Sequence, residues 1–316
     1  MLIAEQFSGR AVDALEASRK QVAGPFRCPV CHTTVYLKAG AIMMPHFAHR
    51  SRKICQVFSE GETAEHLQGK RLLQQFFPSS YLEVYLPQIQ QRPDLLLAHY
   101  AIEFQCSTLK FTRFLERTTH YQAAHFQPVW IVGQRFAPTA GWSHFQKACC
   151  YERAQVGFCL YQLAVEQGLL LCHQQLHWSY EQGYTWQTWA YTPTQSWFLH
   201  QIHGSKPPVK ISYPVYLQQQ LMRRSAVFLA LQQQIYPLRQ TLFSLSAWCY
   251  QPSKFGFLFQ HKVLVLRAFF EQTSTFESWY QSCEVFLGQW QWPLLNRESL
   301  LRRFYRECEL LVAQSK

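Results

Sequence analysis

The feature that most limits what this chain can fold into is a run of metal-ligand residue types near its start. Between Gly24 and Cys55, 32 residues hold three cysteines and three histidines. Cys28-Pro-Val-Cys31 is a CxxC pair, and two thiolates on one tight turn can reach a single ion. His46-Phe-Ala-His49 and Cys55 follow, so five candidates compete for the four corners of a tetrahedral site. Zinc favours thiolates. The first choice is therefore Cys28, Cys31, His49 and Cys55, with His46 as the substitute if Cys55 is out of reach. Fourteen residues separate Cys31 from His46, an ordinary spacing for such a module. A redox CxxC or plain buried thiols are the competing readings, although a redox pair belongs in a βαβ context that is lacking here. A closed zinc site does no chemistry. It makes rigid a piece of chain too short to bury a large core. Arg27, Lys38, Arg50, Arg52 and Lys53 give this piece a basic rim suited to phosphates.

The rest of the chain has to say what the metal serves. At 316 residues, two or three domains are expected. Hydrophobic residues make up 48% and aromatic residues 16%, enough for a sizeable core. No apolar run reaches the 18 residues of a spanning helix, and the start lacks a signal-peptide pattern, so a cytoplasmic protein is expected. Eleven cysteines then read as reduced thiols or metal ligands. The net charge is +11, with 15 basic and 10 acidic residues in 1–140 and 15 and 9 in 141–316. An excess spread over both halves suits nucleic acid, through phosphate attraction and base stacking, and equally suits plain solubility.

Ser59 and Glu62 have the spacing of a capping box opening a helix over 59–77. Glu62, His66 and Lys70 recur at i, i+4 and i+8 and line one face. That stripe is either a solvated face or part of a site for a metal or a phosphate. Next, YLEVYLP, Asp94-Leu-Leu-Leu and Ala101-Ile-Glu-Phe-Gln-Cys106 read as three strands. A hairpin turning at Ala98-His99 sets Asp94 opposite Glu103, roughly 5 Å apart at Cβ. Glu103 and Gln105 share a face by the two-residue period. Two opposed acids need a cation. Mg²⁺ or Mn²⁺ suits hard oxygen ligands, and pairing with Arg92 or a lysine is the alternative. FTRFLERTTHYQAAHF is helical, with Arg113 and Arg117 one turn apart and Arg117 and Tyr121 placed to reach a phosphate. Surface solubility for Arg113 and packing for Tyr121 are the plainer readings. PVWIVG, 128–133, reads as a buried strand that completes an α/β core by about residue 137.

The order CxxC, HFAH, Cys, ExxxHxxxK, RPD, IEFQCS, FxERTxxY and PVWIVG resembles the CoiA family of competence proteins over roughly residues 25–135. The resemblance implies a zinc ribbon-like N-terminal module over 1–57. It also implies an α/β restriction-endonuclease-like core over 58–137, a mixed sheet flanked by helices, of the PD-(D/E)xK nuclease type. It further implies action after DNA uptake on incoming single-stranded or branched DNA, promoting RecA-dependent recombination in natural transformation. By motif, Asp94 is the first strand acid and Glu103 the second, holding one or two divalent ions. Gln105 stands where the superfamily has lysine, and Glu62, His66 and Lys70 are the helix contribution. Gln105 is the departure, because an amide orients water but carries no charge. Lys70 can replace the missing cation from the helix.

Residues 138–316 are rich in Gln, Trp, Tyr and Leu and read as a mostly helical C-terminal domain. One helix breaks at Pro237, a final one carries Arg302, Arg303 and Arg306, and 203–214 is a loop. Trp186, Trp189, Trp197 and Trp292 read as core or partner contacts, with base stacking as the alternative. Two functions follow: a metal-dependent DNA nuclease, or a non-catalytic DNA-binding accessory that assists RecA with a degenerate site. A homo-oligomer is compatible with either.

Overall fold

The computed structural model describes residues 1–41, 43–51, 55, 62–194, 196–204 and 211–315, with the side chains of 196–204 left aside. Ser59, Arg52, Lys53 and the Trp197 side chain, singled out from the sequence, lie outside the described residues, as does 205–210 of the loop. The chain forms two compact units. The first takes Met1–Ala137, Tyr161–Cys172 and Ala190–Leu199, and the second takes Pro138–Leu160, His173–Trp189 and His200–Lys316.

The first unit begins with an antiparallel five-stranded sheet. β1 (Ile3–Gln6) pairs with β2 (Ala11–Asp13), and helix α1 (Ala14–Arg19) follows. Asp13 caps α1, accepting from Leu15 N–H at 2.8 Å and Glu16 N–H at 3.3 Å. β3 (Phe26–Arg27), β4 (Thr34–Lys38) and β5 (His46–His49) complete the order β2-β1-β3-β4-β5. Its small core joins Met1, Ala4, Val12, Phe26, Val35 and Phe47 to Cys28 and Cys55. Leu2, one residue along, packs instead with Leu67, Leu73, Leu95 and Phe104. The start of the chain therefore contributes to two neighbouring cores.

α2 (Ala64–Phe76) begins at Thr63, whose hydroxyl accepts from His66 N–H at 3.1 Å. Glu62 lies just before the helix, so the capping box expected from Ser59 and Glu62 is not what opens α2. Leu67 and Leu73 are fully buried against the sheet. The sheet begins with β6 (Tyr81–Leu82), β7 (Leu95–Leu97) and β8 (Tyr100–Gln105), then α3 (Phe111–Ala123) crosses to β9 (Gln127–Val132). β6, β7 and β8 are antiparallel, whereas β8 and β9 are parallel, so the sheet is mixed. A parallel pair needs a crossover, and α3 supplies it. Phe114 and Thr118 of α3 seat on Trp130, at 4.7 Å between rings and 3.0 Å from the indole N–H to the Thr118 hydroxyl.

YLEVYLP does not form the strand that its alternation predicts. Pairing stops at Leu82 because Glu83 adopts φ +55°. That left-handed conformation is unfavourable for a residue with a Cβ, and here it turns a carboxylate into the interior.

The chain continues with α4 (His144–Ala148), β10 (Tyr151–Arg153), β11 (Gly157–Ala164), β12 (Leu169–Ser179), β13 (Gly183–Tyr191) and β14 (Ser196–Gly204), giving the sheet order β14-β13-β12-β11-β9-β8-β7-β6, with β10 on β11. The expectation of a mostly helical region from residue 138 is thus corrected over 151–204. In β13, Tyr184, Trp186, Thr188 and Ala190 are buried in alternation with their neighbours, the period-two signature of a strand. Helices follow only later: α5 (Tyr213–Met222), α6 (Ala226–Ile235), α7 (Gly256–Phe259), α8 (Lys262–Glu271), α9 (Phe276–Leu287) and α10 (Arg297–Gln314). The break lies at Arg223–Ser225 as well as before Pro237. Trp279 and Phe304 stack in the core of these helices at 5.8 Å. Arg267, fully buried, donates to Glu307 at 2.9 Å and to the Gln251 carbonyl at 2.6 Å. Arg303 pairs with Glu152, and Arg302 lies 4.0 Å over the Phe276 ring, so much of the arginine stripe is engaged within the fold. No helix among the described residues is long and apolar enough to cross a membrane.

Candidate functional site

Two clusters in the first unit bring chemistry-bearing residues together. The first gathers Cys28, Cys31, His49 and Cys55, whose ligand atoms all lie within 4.8 Å of one another. The CxxC sits in the turn between β3 and β4. That turn closes through Cys28 N–H to the Thr33 carbonyl at 2.9 Å and His32 N–H to the Cys28 carbonyl at 3.0 Å. His32 takes φ +57°. The β4–β5 register sets His49 across from Val35, next to that turn, and Cys31 Sγ lies 3.3 Å from His49 Nε2. Burial pushes the Cys28 thiol up to about 12, so a cation is what would favour its thiolate. Three sulfurs and an imidazole nitrogen at this separation suit tetrahedral zinc, with Zn–S near about 2.3 Å. His46 is not a member, since its Nδ1 faces the Met44 carbonyl at 3.0 Å.

The second cluster lies where α2 meets the β7–β8 hairpin. Leu95 pairs with Ile102, Leu96 with Ala101 and Leu97 with Tyr100, so the turn centres on Ala98–His99 with Ala98 at φ +49°. Continuing that register by one residue sets Asp94 against Glu103. Asp94 Oδ2 accepts from Phe104 N–H at 2.8 Å and faces His66 Nε2 at 3.1 Å. Its Oδ1 lies 3.9 Å from Lys70 Nζ. Burial works against ionising Asp94, but His66 and Lys70 outweigh it and hold the carboxyl well below the usual range. Glu103 is buried in a different setting. Both Arg117 and the Tyr121 hydroxyl donate to its Oε1, leaving Oε2 outside these bonds. Burial pushes Glu103 up, Arg117 opposes, Asp94 adds to the rise, and the carboxyl settles at about 7.

Glu62, although outside α2, still meets Lys70. Its Oε1 pairs with Lys70 and its Oε2 with the main-chain nitrogen of Met1. Lys70 has no exposed surface and is shared with Glu83. Burial lowers the ammonium, but Glu62 and Glu83 more than reverse this. An ammonium sealed this way cannot reach a phosphate, so it does not fill the direct role expected of it in place of the missing strand lysine. Tyr121 is fully buried and Arg117 is committed to Glu103 and to the Arg92 carbonyl at 3.3 Å, so neither offers its polar group to DNA as expected. Arg113 pairs with Glu116 at 2.9 Å and borders a separate pocket with Gln88, Gln91 and His120. Gln105 donates to the Ser107 carbonyl at 2.7 Å.

Glu83 was missed as a member of this cluster, and Arg92, an alternative partner for Asp94 or Glu103 on the sequence, pairs with Glu83. Glu83 receives Leu2 N–H at 2.9 Å and Arg92 at 3.1 Å. Burial pushes its carboxyl up, but Arg92 and Lys70 hold it down at about 2. The helix reaches this cluster because Gly69 lacks a side chain. A Cβ there would stand 2.1 Å from Phe104 Cε1.

A family model described as "Competence protein CoiA, nuclease-like domain" matches residues 62–207, and one described as "Competence protein CoiA, N-terminal domain" matches 9–58. The chain belongs to the CoiA family. The nuclease-like model takes in α2, the β7–β8 hairpin, α3 and the strands to β14, which includes the whole acid cluster. The CoiA N-terminal model takes in Cys28, Cys31, His49 and Cys55. "Competence protein CoiA" of Bacillus subtilis (strain 168) is 38% identical over 116 residues, 34% of this chain. That match spans 31% of the relative's length. No solved structure matches the chain.

Proposed function

We propose that this CoiA-family chain serves competence by cleaving incoming single-stranded or branched DNA within a restriction-endonuclease-like core, with Asp94, Glu103 and His66 as the reacting cluster. The observation that carries this reading is the opposition of Asp94 and Glu103 across the hairpin, with a histidine from α2 on the same carboxylate. Burying two acids face to face is costly, and apolar residues at both positions would serve a merely structural sheet better. Two opposed carboxylates suit Mg²⁺ or Mn²⁺, hard cations that take oxygen ligands. Asp94 and Glu103, the latter through the Oε2 that neither Arg117 nor Tyr121 occupies, would hold the ion, which when bound polarises a phosphate and acidifies water. The protein's own groups then have separate tasks. His66 and the Phe104 N–H fix the Asp94 carboxylate. Lys70 and Glu83 hold the rear of the cluster at balanced charge. Arg117 and the Tyr121 hydroxyl fix the Glu103 carboxylate through its Oε1. Support of RecA-dependent recombination is the cellular role that suits this reading.

The second reading is a DNA-binding accessory with a silent site. It is favoured by Gln105, whose amide is spent on Ser107 and brings no positive charge beside the acids. Purified protein with labelled single-stranded, duplex and branched DNA separates the two. With Mn²⁺ or Mg²⁺ added, the first reading expects cleavage that falls by roughly 10²–10³ in Asp94→Asn and Glu103→Gln. Binding without cleavage of any substrate would establish the second.

A further inference from the structure

The second unit contains a pocket of about 550 Å³, inside the range of small-molecule sites. Its walls come from α4 and the residue pair before it, from α6, from the α7–α8 junction and from the segment after α9. Trp142, Trp290 and Trp292 give it aromatic surface, and Lys147, Lys262 and His144 give it basic groups. Among the described residues no carboxylate lines it.

Lys147 is the unusual member. Only 7% of it is exposed, yet among the described residues the one hydrogen bond of its ammonium is long, 3.4 Å to the Gln260 side-chain carbonyl. Its other neighbours are ring faces, Tyr184 at 5.3 Å and Phe257 at 5.8 Å. No described carboxylate pairs with it; the Cys150 thiol acts on its charge favourably and Lys262 repels it. Burial pushes this ammonium down to about 8. A buried charge without a partner is costly. Two further donors among the lining residues, the indole N–H groups of Trp142 and Trp292, are buried with no partner among the described residues. Gln260, which meets Lys147, holds φ +48°, an unfavourable backbone for a residue with a Cβ. The pocket therefore has surplus donors, surplus positive charge and aromatic walls. That combination calls for an anion bearing a planar, acceptor-rich ring.

We propose that this pocket binds a nucleoside monophosphate, free or as the phosphorylated end of a DNA strand, with the phosphate at Lys147 and Lys262 and the base against the tryptophans. Stacking on aromatic faces and phosphate neutralisation by lysine are the two general sources of affinity for such a ligand. Its lining shares no residue with the acid cluster, and its occupancy can be measured without added divalent ion, so its failure leaves the cleavage reading untouched.

The test is calorimetric titration of the full-length protein with four probes: dTMP, thymidine, inorganic phosphate, and a short oligothymidylate with or without a 5′-phosphate. The expected result is that dTMP or the 5′-phosphorylated strand binds at least tenfold tighter than thymidine and than phosphate. A free nucleotide is the ligand if dTMP suffices, and a strand end if only the phosphorylated oligonucleotide binds. Lys147→Met and Lys262→Ala are each expected to weaken that binding tenfold or more while the melting temperature holds or rises. Binding of phosphate alone, equal binding by thymidine, no binding of any probe, or unchanged affinity in a folded Lys147→Met protein would each overturn the proposal.

Discussion

Lys70 and Lys147 are both buried lysines, and their surroundings treat the charge in opposite ways. Lys70 meets Glu62 and Glu83 directly and Asp94 at 3.9 Å, so its charge is neutralised by the fold. Lys147 meets an amide oxygen and two aromatic rings. Desolvation acts on both, but only at Lys147 does it prevail. The difference teaches how to read buried charge in this molecule. Where partners are complete, removing one leaves an uncompensated ion. Where they are incomplete, the group awaits something the chain does not provide. The thiol cluster is a third case, in which four donors converge in an arrangement that suits a cation.

The largest effect should come from that third case. Cys28→Ser is expected to lower zinc from about one ion per chain toward none and to melt the N-terminal sheet at much lower temperature, because metal binding in such modules is folding energy. Metal analysis with a thermal scan checks it, and an unchanged metal content would remove the zinc assignment. Lys70→Met should come next, destabilising by about 3–5 kcal/mol in denaturant titration, since Glu62 and Glu83 lose their shared cation. A stable Lys70→Met protein would break the comparison at its first arm.

Lys147→Met should move the other way. The folded value near 8 lies below the 10.5 of a free lysine, so folding favours the neutral amine. That contribution is present above about 10.5 and is lost as pH falls through 8. At pH 7 the variant should therefore gain stability, on the order of 3 kcal/mol at most. The gain should shrink between pH 8 and 10.5, as melting curves over that range would reveal. Gly69→Ala should cost about 1–3 kcal/mol by overpacking against Phe104, and cleavage should fall with it. Arg113→Ala should change stability by no more than about 0.5 kcal/mol, because its pair with Glu116 is exposed.

The sequence made some of this legible and concealed the rest for physical reasons. Hairpin symmetry about Ala98–His99 is a local property, so the facing register of Asp94 and Glu103 could be read from spacing alone. The three cysteines of the thiol cluster followed from zinc's preference for thiolates, and the fold brings His49 rather than His46 to them. Glu83 could not be found, because nothing in YLEVYLP signals a residue that leaves its strand with positive φ. Tyr121 and Arg117 looked available on a helix face, but which face turns inward was decided by Glu103 on the strand beneath. The strands from 151 to 204 were hidden by a composition rich in Gln, Trp, Tyr and Leu, and their period-two burial, clearest at Tyr184, Trp186, Thr188 and Ala190 of β13, emerges only in the fold. Lys147 lies in a short helix with no charge pattern around it, and its isolation is visible only once the surrounding rings are in place.

Gly69 deserves a last consequence. The hydrogen atom it carries in place of a methyl sets the clearance between α2 and the Phe104 ring, with His66 three positions before it and Lys70 immediately after. A packing position in the core thus acts as a gauge for the reactive groups on either side of it. Evolution, or an engineer, could detune the site there while leaving every acid, base and ligand in the sequence unaltered.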